Sequence, residues 1–80
     1  MSPALLDTVV LLVDLPSHGL CAGDLGAVAH VHDARHCDVE FVTAAGQTQA
    51  VVTLETNSVR AIRDEDLLAV RTLPVRRGVA

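Results

Sequence analysis

The residues with the clearest chemical potential are three histidines and a cysteine within a short stretch, His30 to Cys37. His30 and His32 are two positions apart in a segment that predicts a β-strand, so both side chains should leave the same face, with Cα atoms about 6.5–7 Å apart. His36 and Cys37 follow just across a polar turn. Imidazole and thiolate groups are ligands that Zn²⁺ prefers. His30, His32, His36 and Cys37 are therefore a candidate site for zinc or another transition metal.

The same four residues also have a simpler interpretation. The sequence has no C-x-x-C motif, and no spacing among these residues is diagnostic of a metal site. Histidines on an exposed strand and turn would give the same pattern. Cys21 could approach from a preceding loop, but a disulfide between Cys21 and Cys37 is disfavoured in a cytosolic protein, where thiols stay reduced. Each cysteine is then a small buried residue or a half-exposed thiol.

No arrangement in the sequence indicates an enzyme. His36 and Cys37 are strand neighbours, so their side chains should point to opposite faces and cannot form a catalytic dyad. The run Gly23-Asp24-Leu25-Gly26 lacks the spacing of a dinucleotide-binding loop, and no long helix follows it. The acidic residues 64–66 are better explained as the start of a short helix or turn. We therefore expect no catalytic residue and no resident cofactor.

Charge is unevenly distributed along the chain. The formal net charge is −4, and most of the basic residues lie near the end: Arg60, Arg63, Arg71, Arg76 and Arg77. These arginines could contact nucleic acid, which is a second alternative function. The acidic remainder of the chain disfavours it, because that part repels phosphate.

Targeting signals are not evident in the sequence. The longest strictly apolar run is Val9 to Val13, too short to cross a bilayer, and no basic residue precedes it as a secretory signal would require. We therefore expect a cytoplasmic protein that has no contact with membranes.

Apolar alternation and turn signals predict a small all-β domain with five strands. They fall at residues 7–14, 27–32, 37–43, 47–54 and 58–62, with a hairpin loop at 44–46 and a 3₁₀ turn at 55–58. Val39 and Phe41 alternate with Asp38 and Glu40, which indicates one buried and one wet face. Phe41 is the single aromatic residue, so aliphatic side chains must form the rest of the core. Gly26 is expected to bend the backbone at a barrel corner.

The first predicted strand is apolar on both faces, from Val9 to Val13. An outward apolar face should be covered by something. Leu67, Leu68 and Val70 could fold back over it. Alternatively, a second protein chain, either another copy or a different partner, could bind at this strand or at an open edge of the sheet.

Several separated pieces of the sequence resemble a known family when their order and spacing are taken together. The pieces are Asp7-Thr8-Val9-Val10-Leu11, Asp14-Leu15-Pro16, His18-Gly19-Leu20, the stretch from Ala22 to Val31, Val39-Glu40-Phe41-Val42 and Thr53-Leu54. They resemble the small bacterial proteins catalogued as domain of unknown function 4926. The resemblance implies an SH3-like barrel with no established activity. It also hints at an accessory or neutralising role beside small toxin-like proteins.

These observations together predict a single domain over residues 1–80, with its core at about residues 5–72 and a frayed tail beyond Pro74. The expected architecture is an all-β, five-stranded SH3-like barrel with a short C-terminal helical turn. The expected function is non-catalytic: a protein-interaction or accessory module of a bacterial gene pair, which could be antitoxin-like. Metal binding and nucleic-acid contact stay as the two alternatives.

Overall fold

The strands lie close to the positions that the apolar alternation predicts. A computed structural model describes residues 3–74, which form five strands: β1 (Thr8–Leu11), β2 (Leu25–Val31), β3 (His36–Val42), β4 (Thr48–Glu55) and β5 (Val59–Ala61). Within the same residues the helical elements are two single 3₁₀ turns, Pro16–His18 and Thr56–Ser58. The all-β class is confirmed, and so is the 3₁₀ turn between β4 and β5.

The strands form one antiparallel sheet in the order β4-β3-β2-β1-β5. Its buried face comes from every strand, including the two outermost ones. Leu54 of β4 and Val59 of β5 pack in the same core cluster as Val39 and Phe41 of the middle of the sheet. A flat sheet would hold its two outer strands far apart, so the sheet must curl around this cluster.

Strand β3 shows the predicted alternation most clearly. Cys37, Val39 and Phe41 are buried, whereas Asp38 and Glu40 lie on the outer face. Phe41 is surrounded by aliphatic residues of the core, as the shortage of aromatic residues requires. The hairpin loop after β3 also agrees with the prediction, since Gly46 has a φ of 83°, a left-handed conformation that glycine adopts without strain.

Gly26 is needed for space, which differs from the bend that the sequence suggested. It lies opposite Val9 on the buried face, and its φ is not in the left-handed region. A Cβ at this position would lie 2.5 Å from Val39 Cγ1 and 3.0 Å from Phe41 Cε1. The close approach of β2 to β3 therefore leaves no room for a side chain.

Strand β1 is an interior strand, because it pairs with β2 on one side and β5 on the other. Val9 and Leu11 face the core, and Val10 is buried on the outer face beside its cross-strand neighbours Leu25 and Arg60. The prediction that a later apolar segment covers this strand is wrong. The three residues of that segment are exposed: Leu67 (93%), Leu68 (65%) and Val70 (94%).

The C-terminal part of the described chain contains a turn that does not extend into a helix. The backbone N–H of Asp66 donates to the carbonyl of Arg63 over 3.0 Å, which closes a single turn at the predicted place. From there to Pro74 the chain runs without regular secondary structure. The frayed tail that the sequence predicts beyond Pro74 lies outside the described residues.

Candidate functional site

A β-bulge decides which way the histidines of β2 point. Gly26 and Val28 face the core, so uninterrupted alternation would also direct His30 inward. The register with β3 shifts between Val28 and His30, so that Val28 opposes Val39 and His30 opposes Asp38. The extra residue in β2 therefore moves His30 to the outer face, where it is exposed.

His30 and His32 meet on this face, as the sequence predicts. Their ring centroids are 4.6 Å apart in an edge-to-face arrangement. His32 Nε2 donates to Asp38 Oδ1 over 2.8 Å, and the hydroxyl of Thr53 donates to the same oxygen. These two hydrogen bonds, the one from Thr53 first, lower the pKa of Asp38. We call His30, His32, Asp38 and Thr53 the histidine cluster.

The other two members of the proposed metal site are not in this cluster. His36 Nδ1 lies 3.2 Å from Asp33 Oδ1 in the turn between β2 and β3. Cys37 is fully buried on the opposite face of the sheet. Among residues 3–74, no group of three or more histidine, cysteine, aspartate or glutamate side chains is placed to hold a metal ion. The structure thus brings His30 and His32 together but separates them from Cys37.

The two cysteines are both free thiols in different environments. Cys21 is exposed in the loop before β2, and Cys37 is in the core. Burial, and to a smaller extent the nearby charge of Asp38, raises the pKa of the Cys37 thiol. A nucleophilic cysteine needs the opposite change, because the thiolate is the reactive form. Cys37 therefore has a structural role in the core.

Two of the arginines considered for nucleic-acid binding are held by carboxylates. Arg60 donates two hydrogen bonds to Asp66, at 2.8 and 3.1 Å, and Arg71 Nε donates to Asp24 Oδ1 over 2.9 Å. The pairing with Arg60 and the N–H of Arg63 lower the pKa of Asp66 from 3.8 to about 2. Arg63 contributes its backbone N–H to Asp66, and Arg76 and Arg77 lie outside the described residues.

An apolar groove is also present, and no pattern in the sequence indicated it. Its volume is about 620 Å³. The body of the domain contributes Leu20, Leu25, Phe41 and Val42, and residues 69–73 form the opposite wall. We call residues 66–74 the strap. The groove depends on the contact of the strap with the loop before β2, which joins residues that are 47 positions apart in sequence.

Asp24 holds the strap against the groove. Its carboxylate accepts two hydrogen bonds from the Arg71 guanidinium, and Arg71 Nη2 also donates to the carbonyl of Gly19 over 3.2 Å. The backbone N–H of Cys21 donates to Asp24 Oδ2 over 2.8 Å and fixes the carboxylate. The hydrogen bond from Arg71 is the main reason that the pKa of Asp24 is lowered.

The long strand β4 lies at the edge of the sheet. It pairs with β3 along its whole length, and within residues 3–74 no other strand pairs with it. Its sequence, TQAVVTLE, has no proline and no basic residue, and its one charged residue is the terminal Glu55. Natural proteins usually protect an edge of this length with proline, charged residues or β-bulges. Of these, β4 has Glu55 at its end and one register shift, in which Gln49 is the extra residue.

Comparison with known proteins identifies the family. Residues 5–61, more than two thirds of the chain, match the family model described as Domain of unknown function (DUF4926). The chain belongs to this family. The resemblance inferred from the sequence is confirmed, and the match spans β1 to β5 and ends before the strap.

Further comparisons of this DUF4926 member add no relatives. No curated protein matches it, and no solved structure does. Across residues 3–74, no helix has the length and apolar character that crossing a lipid bilayer requires.

Proposed function

We propose that this protein is a non-catalytic interaction domain that binds a strand of another protein along the outer edge of β4. The observation that carries this proposal is the unpaired edge of β4 itself. An unpaired edge exposes a row of backbone N–H and C=O groups, and an added strand can satisfy them. The buried, weakly acidic thiol of Cys37 supports the non-catalytic part of the proposal.

The side chains beside this edge suit a partner strand. Val51 points outward and is 55% exposed, whereas Ala50, Val52 and Leu54 pack toward the core. A neighbouring strand would place its own side chains beside Val51 and cover it. The alternative that the sequence suggested, binding at β1, has less support, because both backbone edges of β1 are already paired.

Charge favours a different protein over a second copy. Residues 1–58 contain seven acidic residues and one arginine, so the part of the chain that carries β4 has a formal charge of −6. Two such bodies repel each other, whereas a basic partner is attracted. The acidic charge also suits an accessory or neutralising role toward a basic partner encoded in the same gene pair. The family resemblance suggested an accessory or neutralising role.

The test compares two lysine substitutions at similarly exposed positions. Val51→Lys places a charge beside the β4 edge, and Leu12→Lys places the same charge just after β1, where the native side chain is 45% exposed. Tagged wild-type and variant proteins are purified from the native host, checked for folding by circular dichroism, and analysed by size-exclusion chromatography with light scattering.

We expect the wild type and Leu12→Lys to retain a protein partner in a defined ratio, and Val51→Lys to lose it. Loss of the partner by Leu12→Lys alone would assign binding to β1. A wild-type protein that is strictly monomeric and retains no partner would refute the proposal.

A further inference from the structure

The strap is attached to the domain mainly by charged groups. At its start, Asp66 accepts hydrogen bonds from Arg60 and from the backbone N–H of Arg63, the latter over 2.7 Å. Near its end, Arg71 pairs with Asp24. Between these anchors the apolar side chains of Leu67, Leu68 and Val70 are exposed. Partly exposed ion pairs are weak and are screened by salt, so the strap can detach at low cost.

The site that holds Arg71 is also shaped by hydrogen bonds within the loop before β2. The Asp24 carboxylate is fixed by the N–H of Cys21, and the turn from Cys21 to Asp24 is closed by a second hydrogen bond, from Asp24 N to Cys21 O (3.0 Å). The carbonyl of Gly19 supplies a further acceptor. A fixed carboxylate beside a carbonyl matches the planar donors of a guanidinium group. We call Asp24 and the Gly19 carbonyl the guanidinium site.

The surface beside the guanidinium site, which the strap partly covers, is apolar and includes Leu20, Leu25 and Phe41. Ligand-binding pockets are lined mainly by such side chains. The strap shows which chemistry fits. Arg71 occupies the guanidinium site, and Leu73, two residues later, is half-buried at the groove. The complementary ligand is therefore an extended segment with an arginine followed two positions later by an apolar residue.

The guanidinium site lies in the part of the chain that matches the family model, whereas the segment that occupies the site lies outside that part. The guanidinium site and the groove wall from Leu20 to Ala44 lie within residues 5–61, whereas the strap begins after the match has ended. The residues of the guanidinium site thus lie in the part of the chain that matches the family model, and the strap lies outside that part.

We propose that the groove is a receptor for an extended, arginine-bearing segment of another protein, and that the strap competes with this segment by occupying the guanidinium site in the free chain. This inference shares with the proposed function only the premise that the ligand is a protein. It concerns a different surface from the β4 edge. A bound segment would displace residues 69–73 and pair its own arginine with Asp24.

The test measures peptide binding to full-length variants by fluorescence anisotropy. The probe is a labelled peptide with the sequence of residues 67–74, and the control peptide has glutamine in place of its arginine. Arg71→Gln frees the guanidinium site. Asp24→Asn removes its charge and keeps an oxygen that can accept the N–H of Cys21. Circular dichroism and a thermal melt establish that each variant is folded.

We expect the arginine peptide to bind Arg71→Gln about fivefold more tightly than the wild type. In the wild type the peptide must displace the Arg71–Asp24 ion pair, which has the ordinary strength of a partly exposed pair. The glutamine peptide should bind Arg71→Gln about tenfold more weakly than the arginine peptide, because it lacks the charge-assisted bidentate contact. Asp24→Asn should cause a similar loss in the Arg71→Gln background. If that double variant does not fold, the comparison of the two peptides makes the same test.

Equal affinity of the two peptides for Arg71→Gln, equal affinity of wild type and Arg71→Gln for the arginine peptide, or no binding by Arg71→Gln would each overturn the inference. The substitution Val51→Lys lies outside the groove and should leave peptide binding unchanged. If Arg71→Gln does not bind the arginine peptide while the wild-type protein retains a partner that Val51→Lys loses, only this inference is refuted. If Arg71→Gln binds the arginine peptide but the wild-type protein retains no partner, only the proposed function is refuted.

Discussion

Replacing Gly26 with alanine should destabilise the domain through steric overlap in the core, chiefly with Val39. The added methyl carbon would lie 2.5 Å from Val39 Cγ1, whereas carbon atoms in contact are normally about 3.5–4.0 Å apart. At least about 1 Å of movement is needed to restore that separation. Val39 is fully buried, and the new methyl would also lie 3.0 Å from Phe41 Cε1, so the core cannot shift one side chain alone.

The expected size of the effect follows from two opposing terms. Overpacking a core costs about 1–3 kcal/mol. Removing the backbone freedom of a glycine in a strand returns about 0.5–1 kcal/mol. The net loss in the free energy of unfolding for Gly26→Ala should be about 1–2 kcal/mol, or roughly 4–16 °C in Tm for a domain of this size. Urea unfolding followed by far-UV circular dichroism measures it, since the chain has no tryptophan or tyrosine.

A double-mutant cycle with Val39→Ala isolates the contact. Val39→Ala alone leaves a cavity, but in the double variant the new methyl of residue 26 enters that space. The double variant should therefore be more stable than the sum of the two single changes predicts, by about 1 kcal/mol. Additive effects, or a Gly26→Ala protein as stable as the wild type, would show that the close approach of β2 to β3 is not what requires glycine.

Three further outcomes are expected. Leu6 has a φ of 71° at a turn while its side chain is 77% exposed, so Leu6→Asn should raise the free energy of unfolding by about 1 kcal/mol, measured by urea unfolding. The pKa of Asp66 is lowered to about 2, so its stabilising effect is complete above about pH 4 and is lost as the pH falls toward 2. The urea midpoint of Asp66→Asn should therefore fall less over that range than that of the wild type. A maleimide reagent should modify Cys21 quickly and Cys37 only after unfolding, and equal rates at the two thiols, followed by mass spectrometry, would contradict the burial of Cys37.

Local patterns in the sequence were sufficient to predict most of the strands. In β3, strict alternation around Val39 and Phe41 reported directly which side chains are buried, because a strand repeats every two residues. The glycine of the hairpin loop was equally direct, since only a few residues accept the left-handed conformation of Gly46. The family resemblance rested on the same segments and is confirmed over residues 5–61.

The candidate sites depended on information that is not local. The bulge in β2 leaves no mark in the spacing of His30 and His32, yet it decides that they face solvent beside Asp38. Apolar composition suggested that Leu67 and Leu68 would be buried, but the ion pairs at the two ends of the strap determine its course. Contacts between Arg71 and Asp24 depend on the folded path of the chain, which residue types alone do not specify.

Because one thiol is exposed and the other is buried, the protein can be labelled at a single site. Cys21 is exposed and its backbone N–H holds the carboxylate that binds Arg71, whereas Cys37 is enclosed by the core. A dye or spin label coupled to the native, unmutated chain would therefore attach at one position, beside the guanidinium site. Its signal would follow the arrival and departure of the strap in real time.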